Sequence, residues 1–301
     1  MLKKFVLSTD STCDLYVDFV TKNDIKFVSL TYTVEDKDGR ISDGLDAFSD
    51  YSQYVGFYNK LRDGSFSRTS MLNLESHLAH FKKLAEEGAE DVVHFTISSG
   101  LSPTVTVAEQ AAAEIKKSYP KFNLYAVDSL SATIGQGALV RAALRMRDEG
   151  KTAEETVEYV KALRFKIQYV IAANDLNYLR RGGRVSSVAA MAGTMLGIKP
   201  VLTFSNDGKL IVADKVRGMK RVFSYALEKM EKYPPSSEHG FFWIVHTDAE
   251  ADANRLAEVI EEKYGVKPDI SIMGPVIGSH VGPGAVAVIW KSDIDLSLIH
   301  I

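Results

Sequence analysis

The polar residues best placed for chemistry fall into a few short segments. Ser8-Thr9-Asp10-Ser11-Thr12, Ser98-Ser99-Gly100-Leu101-Ser102 and Asp128-Ser129-Leu130-Ser131 each follow a short apolar run. Open α/β sheets put their ligand crevice at such strand ends. The second segment runs into a helical pattern, where unpaired N–H groups and the helix dipole favour an anion. Ser98 or Ser99 can add a hydroxyl donor there, and Ser102 can act as N-cap. The competing reading is that all three serines only cap and turn. Arg180-Arg181-Gly182-Gly183-Arg184 offers guanidinium donors on a glycine-permitted turn, with Arg180 and Arg181 best read as solvated. In Gly278-Ser279-His280-Val281-Gly282-Pro283-Gly284 three glycines and a proline pin a loop around one imidazole. That makes His280 a candidate site residue.

Other chemistries fail on inspection. The chain has no G-x-x-x-x-G-K-[ST] phosphate loop, no G-x-G-x-x-G fingerprint, no G-x-S-x-G elbow and no H-E-x-x-H helix motif. Gly135-Gln136-Gly137 supplies two of three fingerprint glycines but lies inside a helical pattern. His80 and His94 sit among apolar neighbours and read as core or surface residues. One cysteine, Cys13, excludes an internal disulfide framework and a cysteine-rich zinc site. Lys plus Arg is 36 against 39 Asp plus Glu, a balance that argues against a nucleic-acid partner. No run approaches the ~20 apolar residues of a membrane span, and the start is too short for a signal-peptide core. The cytoplasm is the expected location.

These segments need elements to position them. In the first half, strands are expected at residues 5–7, 25–34, 91–97 and 123–127. Helices are expected at 14–22, 50–62, 74–87 with Asn73 as N-cap, 102–118 and 132–149. Strands alternating with helices imply βαβ units and a mainly parallel sheet. Gly150-Lys151-Thr152 marks the expected boundary, giving domains of 1–150 and 151–295; 301 residues suit two such units. The second half reads as a helix at 153–166, a strand at 167–172 and a helix at 185–196. Ser205-Asn206-Asp207-Gly208 joins strands 200–204 and 209–216 as a hairpin. Helices at 219–232 and 250–264 alternate with strands at 241–245, 270–273 and 285–290, which suggests a mixed sheet.

Taken in order, these segments resemble the DegV family. The resemblance is carried by Asp10-Ser11-Thr12-Cys13-Asp14, Thr69-Ser70, Ile97-Ser98-Ser99-Gly100-Leu101-Ser102 and Asp128-Ser129. It continues through Leu179-Arg180-Arg181-Gly182-Gly183-Arg184-Val185-Ser186, Ile198-Lys199-Pro200 and the Gly278 to Gly284 segment. Each block is weak alone, but their joint order and spacing are specific. The resemblance implies a two-domain α/β protein. Its N-terminal domain is a three-layer α/β/α unit with a parallel sheet, and its C-terminal α/β domain has a mixed sheet. A long-chain fatty acid is buried between them.

By that resemblance Thr69, Ser70, Ser98 and Ser99 donate hydroxyls to the carboxylate, and Arg184 and His280 close the headgroup. Such proteins hand the acyl carboxylate to a separate fatty acid kinase subunit that makes an acyl phosphate. Arg217 matches a position implicated in docking that kinase; as a bare feature it is a solvated basic residue. The implied protein is a carrier, with no catalytic residue, no metal and no cofactor besides the lipid.

The chain departs from the family pattern in two places. Met71-Leu72-Asn73 replaces the usual Gln-Pro-Ser, and Ser102-Pro103-Thr104 replaces Ser-Gly-Thr. Met71 and Leu72 are expected to make one cavity wall more apolar. Two rival readings remain: a hydrolase using Ser98 or Ser99 with His280, and a regulatory protein whose lipid is structural. The last six residues, 296–301, match a translated transposon-type sequencing adapter and are set aside from the fold. The alternative is a short apolar tail, and genomic codons for those residues would establish it.

Overall fold

The computed structural model describes residues 5–185, 197–237, 241–295 and 297. The first half begins with β1 (Val6–Asp10), α1 (Val17–Lys22), β2 (Ile25–Val28), β3 (Thr31–Glu35) and β4 (Ile41–Leu45). It continues with α2 (Tyr51–Arg62), β5 (Phe66–Ser70), α3 (Leu74–Glu86), β6 (Asp91–Thr96) and α4 (Thr104–Ser118). It closes with β7 (Asn123–Asp128) and α5 (Thr133–Asp148), after which α6 (Ala153–Leu163) opens the second half.

Strands β2-β1-β6-β7 form the expected parallel sheet. Its central strands are buried on both faces, so they read as apolar runs rather than alternations. The face under α3 and α4 packs Phe81, Leu84, Val92, Ala108 and Phe122. The opposite face packs against α5 and α6. This is the three-layer arrangement. Gly135 and Gly137 serve close packing: a Cβ on Gly137 would lie 2.7 Å from the Cys13 carbonyl, and one on Gly135 2.6 Å from the Tyr169 ring.

Two of the sequence expectations need correction here. Residues 25–34 are not one strand. The chain breaks at Ser29-Leu30, so β2 joins the parallel sheet while β3 centres a separate antiparallel sheet, β4-β3-β5. Strands β4 and β5 went unforeseen because Ser, Asp, Gly and Arg weaken their local β-propensity. Tertiary pairing supplies what propensity lacks.

The second half continues with β8 (Ile167–Ala172), α7 (Leu176–Gly182), β9 (Ile198–Phe204), β10 (Leu210–Arg217) and α8 (Gly218–Lys232). It ends with β11 (Phe242–His246), α9 (Glu250–Tyr264), β12 (Asp269–Ile272), α10 (Pro275–Val281) and β13 (Val286–Lys291). The sheet order is β10-β9-β8-β13-β11-β12, antiparallel except for the parallel β11–β12 pair. Its alternation is clean. Val170, Val286, Val288 and Ile244 face α8 and α9, while Tyr169, Ile171, Ala287 and Val245 join the core around α5. Helix α5 therefore lies between the two sheets. The helix expected at 185–196 falls, from residue 186 onward, outside the described residues, as does all but Ser297 of the 296–301 tail.

Two expected loops are helical. Arg180, Arg181 and Gly182 end α7, whose N-cap Asp175 accepts from the Asn177 N–H and whose C-cap Gly183 takes φ +67°. Gly278, Ser279, His280 and Val281 belong to α10, with Pro275 at its first position and Gly282 after its end. An Asp N-cap, a proline at the first turn and a glycine after the last are readable start and stop signals. The glycine clusters outweighed them.

Candidate functional site

Where the two sheets and the small sheet meet, the structure forms a mainly apolar cavity with a mouth open to solvent. Ile97, Ala132, Ile171, Phe204 and Val276 supply much of its wall. Thr69, Ser102, Arg184 and His280 supply polar atoms. Each arrives on a different element: Thr69 on β5, Ser102 just before α4, Arg184 just after α7, and His280 on the last turn of α10.

Thr69 Oγ1 lies 2.8 Å from His280 Nε2. The other ring nitrogen, Nδ1, is buried with no hydrogen-bond partner among the described residues. An unpaired lone pair there costs less than an unpaired N–H, so the favoured tautomer carries its proton on Nε2. His280 then donates to Thr69, which leaves the Thr69 O–H free to donate onward. Burial, with the Arg184 guanidinium nearby, pushes the His280 pKa down to about 4. The imidazole is neutral at pH 7. Among the described residues lining the cavity, Arg184 alone carries a permanent charge.

The four serines and threonines foreseen for this site part company. Strand alternation turns Thr69 toward α10 and Ser70 the opposite way, into solvent. Ser67 shares the Thr69 face and meets Ser279 Oγ at 2.7 Å. Ser98 is buried, and its hydroxyl donates to the Gly208 carbonyl at 2.7 Å in the β9–β10 hairpin turn. Ser99 is exposed, with its N–H bonded to Asp128. Neither Ser98 nor Ser99 lines the cavity. Ser102, read from sequence as a cap, does line it, and its hydroxyl faces Thr104 Oγ1 at 2.8 Å. The cap position itself is held by Pro103.

Arg180 and Arg181 are exposed. Arg181 and Arg68 both stack on the Phe66 ring, at 5.5 and 4.5 Å. Arg217 ends β10, is exposed, and lies outside the cavity lining.

Two buried polar clusters support this arrangement. Asp10 is fully buried and accepts from Ile97 N–H, Thr12 N–H, Thr12 Oγ1 and Gln136 Nε2. The first polar segment is thus a structural knot between β1, β6 and α5 rather than a ligand loop. Asp14 and Asp46 flank Gly274 at the entry to α10, and Asp14 Oδ1 accepts the Gly274 N–H at 2.8 Å. Burial raises both carboxyls above the ordinary range; the Asp10 charge raises each further, and the Asp14 charge adds to the rise at Asp46. A side chain at 274 would put a Cβ 2.5 Å from Asp46 Oδ1.

Comparison with known proteins identifies the family. The profile of the family described as uncharacterised protein, DegV family, matches residues 4–293. A DegV domain-containing protein of Clostridium perfringens is 34% identical over 294 residues, covering 97% of this chain and 99% of that one. The chain belongs to the DegV family.

Solved relatives share the fold of this DegV chain. A DegV lipid-binding protein from Thermotoga maritima superposes with a TM-score of 0.82 at 30% identity, covering 97% of this chain and 99% of that one. A second protein from the same organism, described as revealing fatty acid binding function, gives 0.79 at 30%, covering 96% and 100%. A fatty-acid-binding DegV protein of Thermus thermophilus gives 0.79 at 27%, covering 96% and 99%. The α/β architecture with one parallel and one mixed sheet is that of the family.

Proposed function

We propose that this DegV protein binds one long-chain fatty acid in the cavity, with its carboxylate at Thr69, Ser102, Arg184 and His280. The observation that carries the reading is the Thr69–His280 pair, with Arg184 beside it, set into a mainly apolar cavity. Burying about fifteen methylenes at ~0.8 kcal/mol each gives an upper bound of roughly 12 kcal/mol. Association and ordering remove several of these, and the remainder supports micromolar to nanomolar binding. The acyl chain supplies affinity; the polar end orients it. A carboxylate taken from water into an apolar cavity needs such donors, or it protonates. Relatives described as fatty acid binding support the same ligand class.

The protein acts, in this proposal, as a cytoplasmic carrier that presents the acyl carboxylate to a separate fatty acid kinase, with exposed Arg217 in the docking surface. The hydrolase reading loses support from the hydrogen bonding. Ser98 is committed to Gly208, and the His280 Nε2 is committed to Thr69.

Denaturing the purified protein, extracting it with solvent and analysing the extract by mass spectrometry tests the ligand. A near-stoichiometric fatty acid is expected. An empty extract, with no binding of added palmitate or oleate, overturns the proposal. ATP-dependent acyl phosphate formation with the kinase subunit, weakened by Arg217→Ala, tests the docking role; an unchanged rate removes Arg217 from it.

A further inference from the structure

Helix α10 carries His280 but has only seven residues, too few to hold its place by helix propensity alone. Its position comes from what it bonds. At its entry the Met273 carbonyl accepts from the Tyr58 hydroxyl at 2.6 Å, and the Gly274 N–H donates to Asp14 at 2.8 Å. Further along, among the described residues, side-chain hydrogen bonds join it to β5 at two places, Ser67 to Ser279 and Thr69 to His280. Ser67 and Thr69 point the same way because they stand two apart on a strand.

The two contacts differ in kind. Thr69 and His280 line the cavity, so a bound headgroup competes for the bond between them. Ser67 and Ser279 do not line it and are each 7% exposed. Ser279 Oγ also donates to the Pro275 carbonyl at 2.6 Å, and Ser67 Oγ donates to the Thr33 carbonyl on β3 at 3.0 Å. With the Ser279 proton on Pro275, the Ser67 proton is shared between Ser279 and Thr33. The network therefore ties β3, β5 and α10 together independently of any ligand. Burying two hydroxyls costs desolvation, and an apolar pair of similar shape would be nearly as stable. What the hydroxyls add is a fixed spacing, one residue from His280 and two from Thr69.

We infer that Ser67 and Ser279 are positioning residues that hold Thr69 and His280 at the spacing a carboxylate needs, so that the protein selects an acid headgroup over a neutral one. This rests on the fatty-acid reading above. The test is competition of hexadecanoic acid and hexadecan-1-ol against a fluorescent fatty acid. It uses delipidated full-length protein, Ser67→Ala, Ser279→Ala, the double variant and Ser67→Thr, with thermal unfolding followed for each. The wild type should prefer the acid. Each alanine variant should lose about fivefold of that preference, the factor one neutral hydrogen bond supplies, with alcohol affinity held within about twofold. The double variant should lose no more than either single one, because both remove the same contact. Ser67→Thr keeps the hydroxyl and should keep the preference. A lowered unfolding temperature with the acid preference intact in both alanine variants gives the pair a structural role only and overturns the inference. Losses that multiply in the double variant, or a loss in Ser67→Thr equal to that in Ser67→Ala, also overturn it. Failure of the wild type to bind either ligand removes the fatty-acid reading and this inference with it.

Discussion

Gly182 lies so close to the His280 ring that a Cβ on it would stand 2.2 Å from Nδ1. The glycine at the end of α7 is therefore a space requirement of the histidine on α10. Gly182→Ala should push the imidazole off Thr69 and weaken fatty acid binding about tenfold or more, with only a small change in stability. Titration calorimetry alongside urea unfolding checks this. Unchanged affinity would mean that the ring position does not matter for the ligand.

Strand alternation on β5 gives a sharper contrast. Thr69→Val should weaken fatty acid binding about tenfold, the order expected for a lost hydrogen bond to a charged group. Ser70→Ala should leave affinity within about twofold. Equal losses in the two variants would sink the assignment of faces.

Ser98→Ala should cost stability rather than binding. It removes the donor to the Gly208 carbonyl and the acceptor of the Gly100 N–H. Leaving those backbone groups unpaired costs about 1–3 kcal/mol. The urea midpoint should fall while fatty acid affinity holds within about threefold. A normal midpoint with lost affinity would return Ser98 to the ligand.

His77 and His80 of α3 both pack on His94 of β6, and the Ser8 hydroxyl joins His80 and His94 at 2.8 Å each. Burial lowers all three, His80 to about 4. In the unfolded chain these groups bind protons near pH 6.5. Between there and pH 4 the unfolded state holds more protons, so stability is full above about 6.5 and falls as pH drops. Asp14 and Asp46, raised on folding, act in the opposite sense: their contribution is lost as pH rises through their folded values. Urea midpoints measured from pH 8 to 5 should fall less steeply on acidification in His94→Leu, and should fall less on the alkaline side in Asp14→Asn. Profiles parallel to wild type in both variants would remove these clusters from the pH response.

The division of labour between sequence and fold can be seen residue by residue. His280 and Arg184 stood out beforehand because unusual glycine clusters surround them, and Thr69 because of the family pattern around it. Ser70 and Ser98 carried equally good local signals, yet the structure points them elsewhere. Ser102 reads as a cap in sequence, yet it lines the cavity.

By itself the chain's order of residues determined the alternation of strands and helices, the hairpin at 205–208 and the family. Those follow from local periodicity, turn chemistry and motif spacing. Which face of β5 meets α10, whether a serine meets a ligand or a carbonyl 110 positions away, and where the cavity lies were decided only in three dimensions. The reason is that these depend on pairing register and close approach between distant segments, as with Gly182 against His280 and Gly274 between Asp14 and Asp46. A side chain's direction flips with each strand residue, and no local pattern of types records which neighbour stands opposite it.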